Sequence, residues 1–453
     1  MSIDRVDCLL GDLRQGARLL RLSPGFTLVA VLSLALGIGA NTAIFQLLDA
    51  VRLRSLPIAR PHELAEVKIV GGNGGMGINP GRYGQLTRPL WEEIQRHQQA
   101  FSGAFAWASS DVRVGEGSEL RRAKGLWVSG DFFRVLGVQA ERGRLILPED
   151  AGACPSPRAV VSHAYWQSQW GGRELGPDSR LVVNGERMEV IGVTPPEFFG
   201  LAVGERFDIA VPLCQPKDEL RRDVFDVSVM GRLRPGWTVE KGSAHFATIG
   251  PGLLAETVIT GYSAAAAERY KSFRLAVYPA SSGVSALRRQ YDASLWLLLG
   301  VTSLVLLIAC ANLANLMLAR ASAREREIAV RSALGATRGR LFRQLIAESA
   351  LLAALGAMAG AALAQVLSRA LVRSLSTGSG SVSLSLATDW RVFLFTAAVA
   401  SLTCLVFGAL PAIRGTRVEP GAAMKAGGRG MSAGRDRLSL QRLMVVTQIA
   451  VSL

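Results

Sequence analysis

The 24 residues from Arg320 to Arg343 carry seven arginines and two glutamates, a dense run of charge set between two apolar segments. Guanidinium and carboxylate groups in such a run form ion pairs and offer a surface that a partner can grip. Glu327 and Arg331, four residues apart, are placed for a helix-supporting ion pair. Val330, Leu334, Leu341 and Leu345 recur at helical spacing, and Arg324, Glu325, Arg326, Arg338 and Arg340 supply the charged surface. Gly335-Ala-Thr337 interrupts the pattern and predicts two short helices meeting at a bend. A short helix with an exposed mixed-charge face transmits force if a soluble partner grips it. A solvated loop that only fixes topology fits the same residues.

Bond-making chemistry finds little support elsewhere. His62, His97, His163 and His245 are scattered, no Gly-x-Ser-x-Gly turn occurs, and the acidic residues are not grouped as metal ligands. His163, before Ala-Tyr-Trp, reads as a helix-start or packing residue. Cys8, Cys154, Cys214, Cys310 and Cys404 include no Cys-x-x-Cys pair, which argues against zinc. Cys154 and Cys214 are the two cysteines of the long section from about Pro57 to Gln290 that reads as water-soluble sequence. A disulfide between them, if that section lies outside the cytoplasm, and two unpaired thiols are both compatible with the spacing. No Gly-x-x-x-x-Gly-Lys-Ser/Thr loop is present, so the chain does not cradle ATP phosphates by that route, and no directly bound cofactor is expected. The formal net charge is +15 over 453 residues. Its arginines cluster beside apolar segments, without interleaved base-stacking aromatics, which argues against nucleic acid as a partner.

The elements that position the charged stretch are membrane spans. Residues 26–51, 294–319, 345–368 and 392–413 each meet the requirement of about 20 mostly apolar residues, and a fifth segment starts at 443 and stops at 453, too short to cross. The expected fold is an α-helical membrane protein with four spanning helices, a truncated fifth, and a large α+β extracytoplasmic domain between the first and second spans. Residues 1–25 form a cytoplasmic interfacial helix with Arg14, Arg18 and Arg21 available to lipid headgroups. Residues 52–293 form the external domain, 320–344 the cytoplasmic charged segment, 369–391 a short external loop and 414–442 a cytoplasmic linker. Arginine and lysine concentrate before the first span, between the second and third, and after the fourth, which sets the N-terminus inside and residues 52–293 outside. Gly356 and Gly360 form a Gly-x-x-x-Gly pair in the third span and predict close helix packing.

Within the external domain, Leu181 to Ile191 reads as two strands joined by the hairpin turn Asn184-Gly185. Residues 89–99, 131–136 and 164–170 read as helices, 207–213, 227–233 and 273–278 as strands, and 239–257 as a helix interrupted near Gly250-Pro251-Gly252. Trp127, Phe132, Phe133, Trp166, Trp170, Phe198 and Phe199 line a groove or build a core, the core being the commoner use.

Arg326-Glu-Ile-Ala-Val-Arg-Ser-Ala-Leu-Gly-Ala-Thr-Arg338, with Glu348-Ser-Ala-Leu-Leu352 after it, resembles the coupling region of ABC transporter permeases of the MacB/FtsX family. Asp12-Leu-Arg-Gln-Gly-Ala-Arg-Leu-Leu20, Ser23-Pro-Gly-Phe-Thr27 and Leu34-Ala-Leu-Gly-Ile-Gly-Ala-Asn-Thr-Ala-Ile-Phe45 resemble the family's entry to the first span. Val128-Ser-Gly-Asp-Phe-Phe133, Leu136-Gly-Val138 and Gly143-Arg144 resemble the MacB-like periplasmic core. Ala329 departs from the glycine that many relatives have. The continuation past the fourth span looks like the first half of a duplicated permease.

The resemblance implies a permease subunit that couples ATP hydrolysis by a separate ATPase to movement of the periplasmic domain by mechanotransmission. Arg326, Glu327, Ile328, Arg331, Leu334, Gly335 and Arg338 would contact that ATPase, and ATP and magnesium would sit on it. Implied partners are the ABC ATPase, a second permease copy or missing second half, the lipid bilayer, and a periplasmic adaptor or envelope enzyme. The implied location is a bacterial cytoplasmic (inner) membrane. A non-transporting FtsX-like regulator of a cell-envelope enzyme is the alternative. A membrane-bound enzyme or sensor would need an active site or signalling domain that the sequence does not display.

Overall fold

The computed structural model describes residues 3–79, 83, 85–152, 156–176, 179–213, 223–323, 338–379 and 389–409. It divides into a helical unit, made chiefly of residues before 51 and after 290, and a mixed α/β unit, Val51–Gln290.

In the helical unit, α1 (Ile3–Arg21) is followed after a two-residue turn by α2 (Pro24–Leu48). Pro24 opens α2, where its missing amide proton is no loss. α2 runs into a π-helical turn, Asp49–Leu53. Among the described residues four helices are long and apolar enough to span a membrane: Pro24–Leu53, Gln290–Arg320, Phe342–Ser374 and Trp390–Gly408. The second and third lie within longer helices, Ala286–Ala323 and Arg338–Ser379, and the fourth begins as Trp390–Cys404. Leu297, Val301, Phe393 and Leu394 are among the large apolar side chains left exposed, as required of a hydrocarbon-facing surface. The expected segment at 443–453 lies outside the described residues.

The α/β unit is built on a ten-stranded mixed sheet. Its strands are β1 (Leu64–Ile69), β2 (Phe101–Val114), β3 (Arg121–Val128), β4 (Arg142–Gly143), β5 (Arg158–Val161), β6 (Arg180–Val183), β7 (Glu186–Val193), β8 (Ile209–Pro212), β9 (Ser228–Leu233) and β10 (Leu275–Pro279). The order is β10-β1-β9-β2-β3-β8-β5-β7-β4, with β6 against β7 and touching β2. β3–β8 and β5–β7 are parallel, and the other pairings are antiparallel. The helices of this unit are α3 (Arg88–His97), α4 (Phe132–Leu136), α5 (Pro148–Ala151), α6 (His163–Trp170), α7 (Val239–Glu256) and α8 (Ala264–Lys271). The long membrane helices are then α9 (Ala286–Ala323), α10 (Arg338–Ser379) and α11 (Trp390–Cys404).

β2 organises the core. Phe105 and Trp107 enter one apolar cluster with Phe132, Phe133 and Phe198, whereas Ala104 and Ala106 face a second with Phe246 and Tyr270. Phe101 joins that second cluster although it is in phase with Phe105, because a bulge between Phe101 and Gly103 inverts the alternation. Most of the aromatic residues offered as groove or core are core: Phe132, Phe133, Phe198 and Trp166 are each below 5% exposed. Trp127, Trp170 and Phe199 are half-buried against these clusters.

The β6–β7 turn is the one expected, with Asn184 and Gly185 both at positive φ (54° and 91°). The helix predicted to break near Pro251 is instead continuous from Val239 to Glu256. Phe246, Leu253 and Leu254, buried on both sides of the proline, hold it together against the local cost. His163 begins α6 behind the cap Ser162, whose hydroxyl accepts from the Tyr165 amide; its ring lies edge-on to Trp166.

Candidate coupling site

Arg326, Glu327, Ile328, Arg331, Leu334 and Gly335 lie outside the described residues, as do Cys154 and Cys214. Arg338 opens α10. The structure defines the two roots from which the charged segment springs, at the end of α9 and the start of α10.

At the first root, the Arg320 guanidinium donates to Glu348 Oε1 of α10 (2.8 Å), to the Leu19 carbonyl of α1 (3.0 Å) and to Ser23 Oγ (2.6 Å). It also lies 4.8 Å from the Phe26 ring centroid. One side chain thus joins α1, the entry of α2, α9 and α10. Both charges are withdrawn from water, with side-chain exposures of 15% and 4%, so loss of either partner strands a charge at a cost of about 3–5 kcal/mol. At the second root, Arg343 Nε donates to Asp12 Oδ2 of α1 at 2.5 Å. Between these contacts Gly16 lets α1 lie against α10: a Cβ there would meet Leu351 Cδ1 at 3.0 Å and the Glu348 Cα at 3.5 Å. α1 is therefore fastened to both ends of the charged segment.

Beyond the roots, packing carries the contact along the spans. Leu20, Leu34, Leu313, Met317 and Leu352 belong to one buried cluster. A Cβ on Gly356 would meet Leu34 Cβ at 2.6 Å, and one on Gly360 would meet the Gly39 amide nitrogen at 3.0 Å and the Ala35 carbonyl oxygen at 3.1 Å. α2 and α10 thus approach backbone to backbone at Gly39 and Gly360. Further along α2, Asn41 Nδ2 donates to the Gly37 and Thr302 carbonyls (2.9 and 3.0 Å), and its Oδ1 accepts from Thr302 and Ser303. Thr42 meets Thr396 at 3.2 Å, Phe45 stacks on Phe395 at 4.1 Å, and buried Asp49 lies 3.6 Å from Arg391.

The roles of Arg320, Asp12 and Glu348 are not legible in the sequence. A signal existed for Glu348: a carboxylate near the start of an apolar segment needs a cation at the same depth. Which of many arginines supplies it cannot be read from residues 28 positions apart.

The motifs that resemble the periplasmic core serve the fold. Ser129 Oγ accepts from the Ala106 amide, tying the end of β3 to β2. Gly137 takes the left-handed conformation that closes α4 (φ 72°). Gly143 (φ 65°) is pressed so close to β7 that a Cβ would lie 2.2 Å from the Ile191 carbonyl oxygen. Among the described residues no group of three or more histidine, cysteine or acidic side chains is placed to hold a metal ion.

The profile described as MacB-like periplasmic core domain matches residues 27–249, and that described as FtsX-like permease C-terminal matches residues 299–420. Over 132 residues the chain is 35% identical to the pyoverdine export ATP-binding/permease protein PvdT of Pseudomonas aeruginosa, covering 29% of this chain and 19% of that protein. Over 125 residues it is 29% identical to the ABC transporter permease YknZ of Bacillus subtilis, covering 28% of this chain and 30% of that one. The chain thus spans less than a third of the length of these curated relatives. The periplasmic region of MacB from Actinobacillus actinomycetemcomitans aligns at a TM-score of 0.33 and 11% identity, over 52% of this chain and 94% of that one. The four apolar helices among the described residues, with a large α/β domain inserted after the first, make this a multi-pass membrane protein, and the two profiles make it a permease component. The chain belongs to the MacB/FtsX family of ABC transporter permeases.

Proposed function

We propose that this chain is the permease subunit of an ABC export system in a bacterial inner membrane, with its N-terminus in the cytoplasm. A separate ATPase, carrying ATP and magnesium, grips the segment between Arg320 and Arg343. Residues 326–338 provide the contact, Arg331, Leu334 and Arg338 foremost. Movement of that segment passes into α9, which is continuous along the chain with the extracytoplasmic α/β domain, so that substrate is handled outside the membrane by mechanotransmission.

The observation that carries this reading is the pair of anchored roots. Arg320 and Arg343 each form an ion pair with another helix, so a pull on the intervening residues loads α1, α9 and α10 together. The arginine excess before the first span and between the second and third supports the orientation. The relative named for pyoverdine export supports export as the direction. The test is co-purification of the full chain with its ATPase. Replacement of Arg331, Leu334 and Arg338 by alanine is expected to lower ATPase association at least tenfold while the permease still extracts and melts as wild type. Undiminished association would refute the coupling assignment.

A further inference from the structure

α1 has two unlike faces. Asp12, Gly16 and Leu20 are buried, and Asp12 and Leu19 bind Arg343 and Arg320. Arg14, Arg18 and Arg21 are exposed, and among the described residues none of the three is paired with a carboxylate. Their spacing of four and three residues sets the guanidiniums on one outer stripe. The chain continues from this stripe into apolar surface: Leu22, directly after Arg21, is 70% exposed, and Leu28, Val29 and Leu32 of the first span are each more than half exposed. Cations bordering a surface that needs hydrocarbon match one chemical partner, a lipid with an anionic headgroup. A soluble acidic protein would satisfy the arginines and leave the leucines in water. Free phosphate would do the same.

We infer that the outer stripe of α1 is a binding site for the phosphate of anionic phospholipid, and that lipid held there steadies the roots of the charged segment through Asp12–Arg343 and Leu19–Arg320. Guanidinium donates two parallel hydrogen bonds to a phosphate, and each arginine near an anionic membrane surface contributes about a fivefold preference. The lipid site stands independently of the proposed ATPase contact; its influence on the roots rests on that contact.

The experiment uses the full chain in nanodiscs of phosphatidylcholine, with and without phosphatidylglycerol, and reads the lipid retained after extraction by native mass spectrometry. The wild type is expected to retain phosphatidylglycerol selectively. The triple variant R14Q/R18Q/R21Q should lose that selectivity by the order of a hundredfold. The variant R14K/R18K/R21K, which keeps the charge and guards against misfolding as the cause, should retain most of it. Equal retention by the wild type and the glutamine variant would overturn the site. So would displacement of the lipid by millimolar inorganic phosphate, which would mark a free-anion site. Lipid displaced on adding the ATPase would assign the stripe to the protein partner and also overturn the inference. Selective retention without any effect of phosphatidylglycerol on ATPase association would leave the lipid site standing and sink its link to the roots.

Discussion

Asp150 illustrates how one carboxylate fixes a loop. Its oxygens accept from Arg144 Nη1 and Nη2 (2.6 and 3.0 Å), from Arg158, and from the Leu147 amide (3.0 Å). The Asp150 side chain is 1% exposed, whereas both arginines reach solvent at more than 40%. The hydrogen bonds from Arg144, ahead of the opposing effect of burial, hold the Asp150 carboxyl well below the usual carboxylate range. A carboxyl depressed in the folded state stabilises fully above its unfolded value of about 3.9, and that contribution drains away as pH falls through the folded value. The full chain in detergent should therefore melt at falling temperatures below about pH 4. D150N should melt lower than wild type at neutral pH and show a shallower acid limb. Because the arginines can rehydrate, the expected loss is about 2 kcal/mol rather than the larger cost of stranding two buried cations. Parallel acid limbs for wild type and D150N in a thermal melt would contradict this account. The role of Asp150 is not legible in the sequence, although the neighbouring Gly143-Arg144 pair carries a family resemblance.

At the scale of elements, what was legible depended on whether the signal was local. The β6–β7 hairpin follows from two adjacent residues that tolerate positive φ, and α2 from a long apolar run behind a proline. β2 and β3 are not legible in the sequence, because Gly103, Ala104, Ala106, Ala108, Ser109 and Ser110 blur the alternation of β2. The parallel partner of β3, β8, lies some 80 residues away along the chain. Pro251 misled for the converse reason, since tertiary burial overrode a correct local signal. The Gly-x-x-x-Gly pair showed that the third span carries a close-packing face, but only the structure names Leu34, Ala35 and Gly39 of α2 as what it meets. A side chain at Gly360 would collide with backbone atoms, which cannot rotate aside. G360V is expected to cost about 1–3 kcal/mol and to lower the detergent melting temperature. Gly300 of α9 supplies the control, since a Cβ there would meet nothing within 4 Å. G300A should be neutral or stabilising by up to about 1 kcal/mol from helix propensity. Equal effects of the two substitutions would mean that α2 and α10 are not packed at this glycine.

Insertion of some 240 residues between two spans raises the question of how the inserted α/β unit closes on itself. Its own ends supply the answer. The Leu56 amide donates to the Ser281 carbonyl at 2.9 Å, and the Arg288 guanidinium donates twice to the Val51 carbonyl at 3.1 and 2.9 Å and once to Ser282 at 3.0 Å. β1 and β10, the first and last strands, are paired neighbours over five residues. The incoming and outgoing chains are thus stitched together within this unit, whose three apolar clusters are all internal to it. A fragment of residues 51–290 is expected to fold alone as a soluble protein with one cooperative melting transition. In that fragment R288A removes the clasp on Val51 without opening a cavity in any cluster. The expected loss is about 1–2 kcal/mol, which for a unit of this size is a fall in melting temperature of several degrees. A fragment that aggregates or melts without cooperativity would show that the spans are needed to hold the ends together. An unchanged melting temperature for R288A would assign closure to the β1–β10 pairing alone.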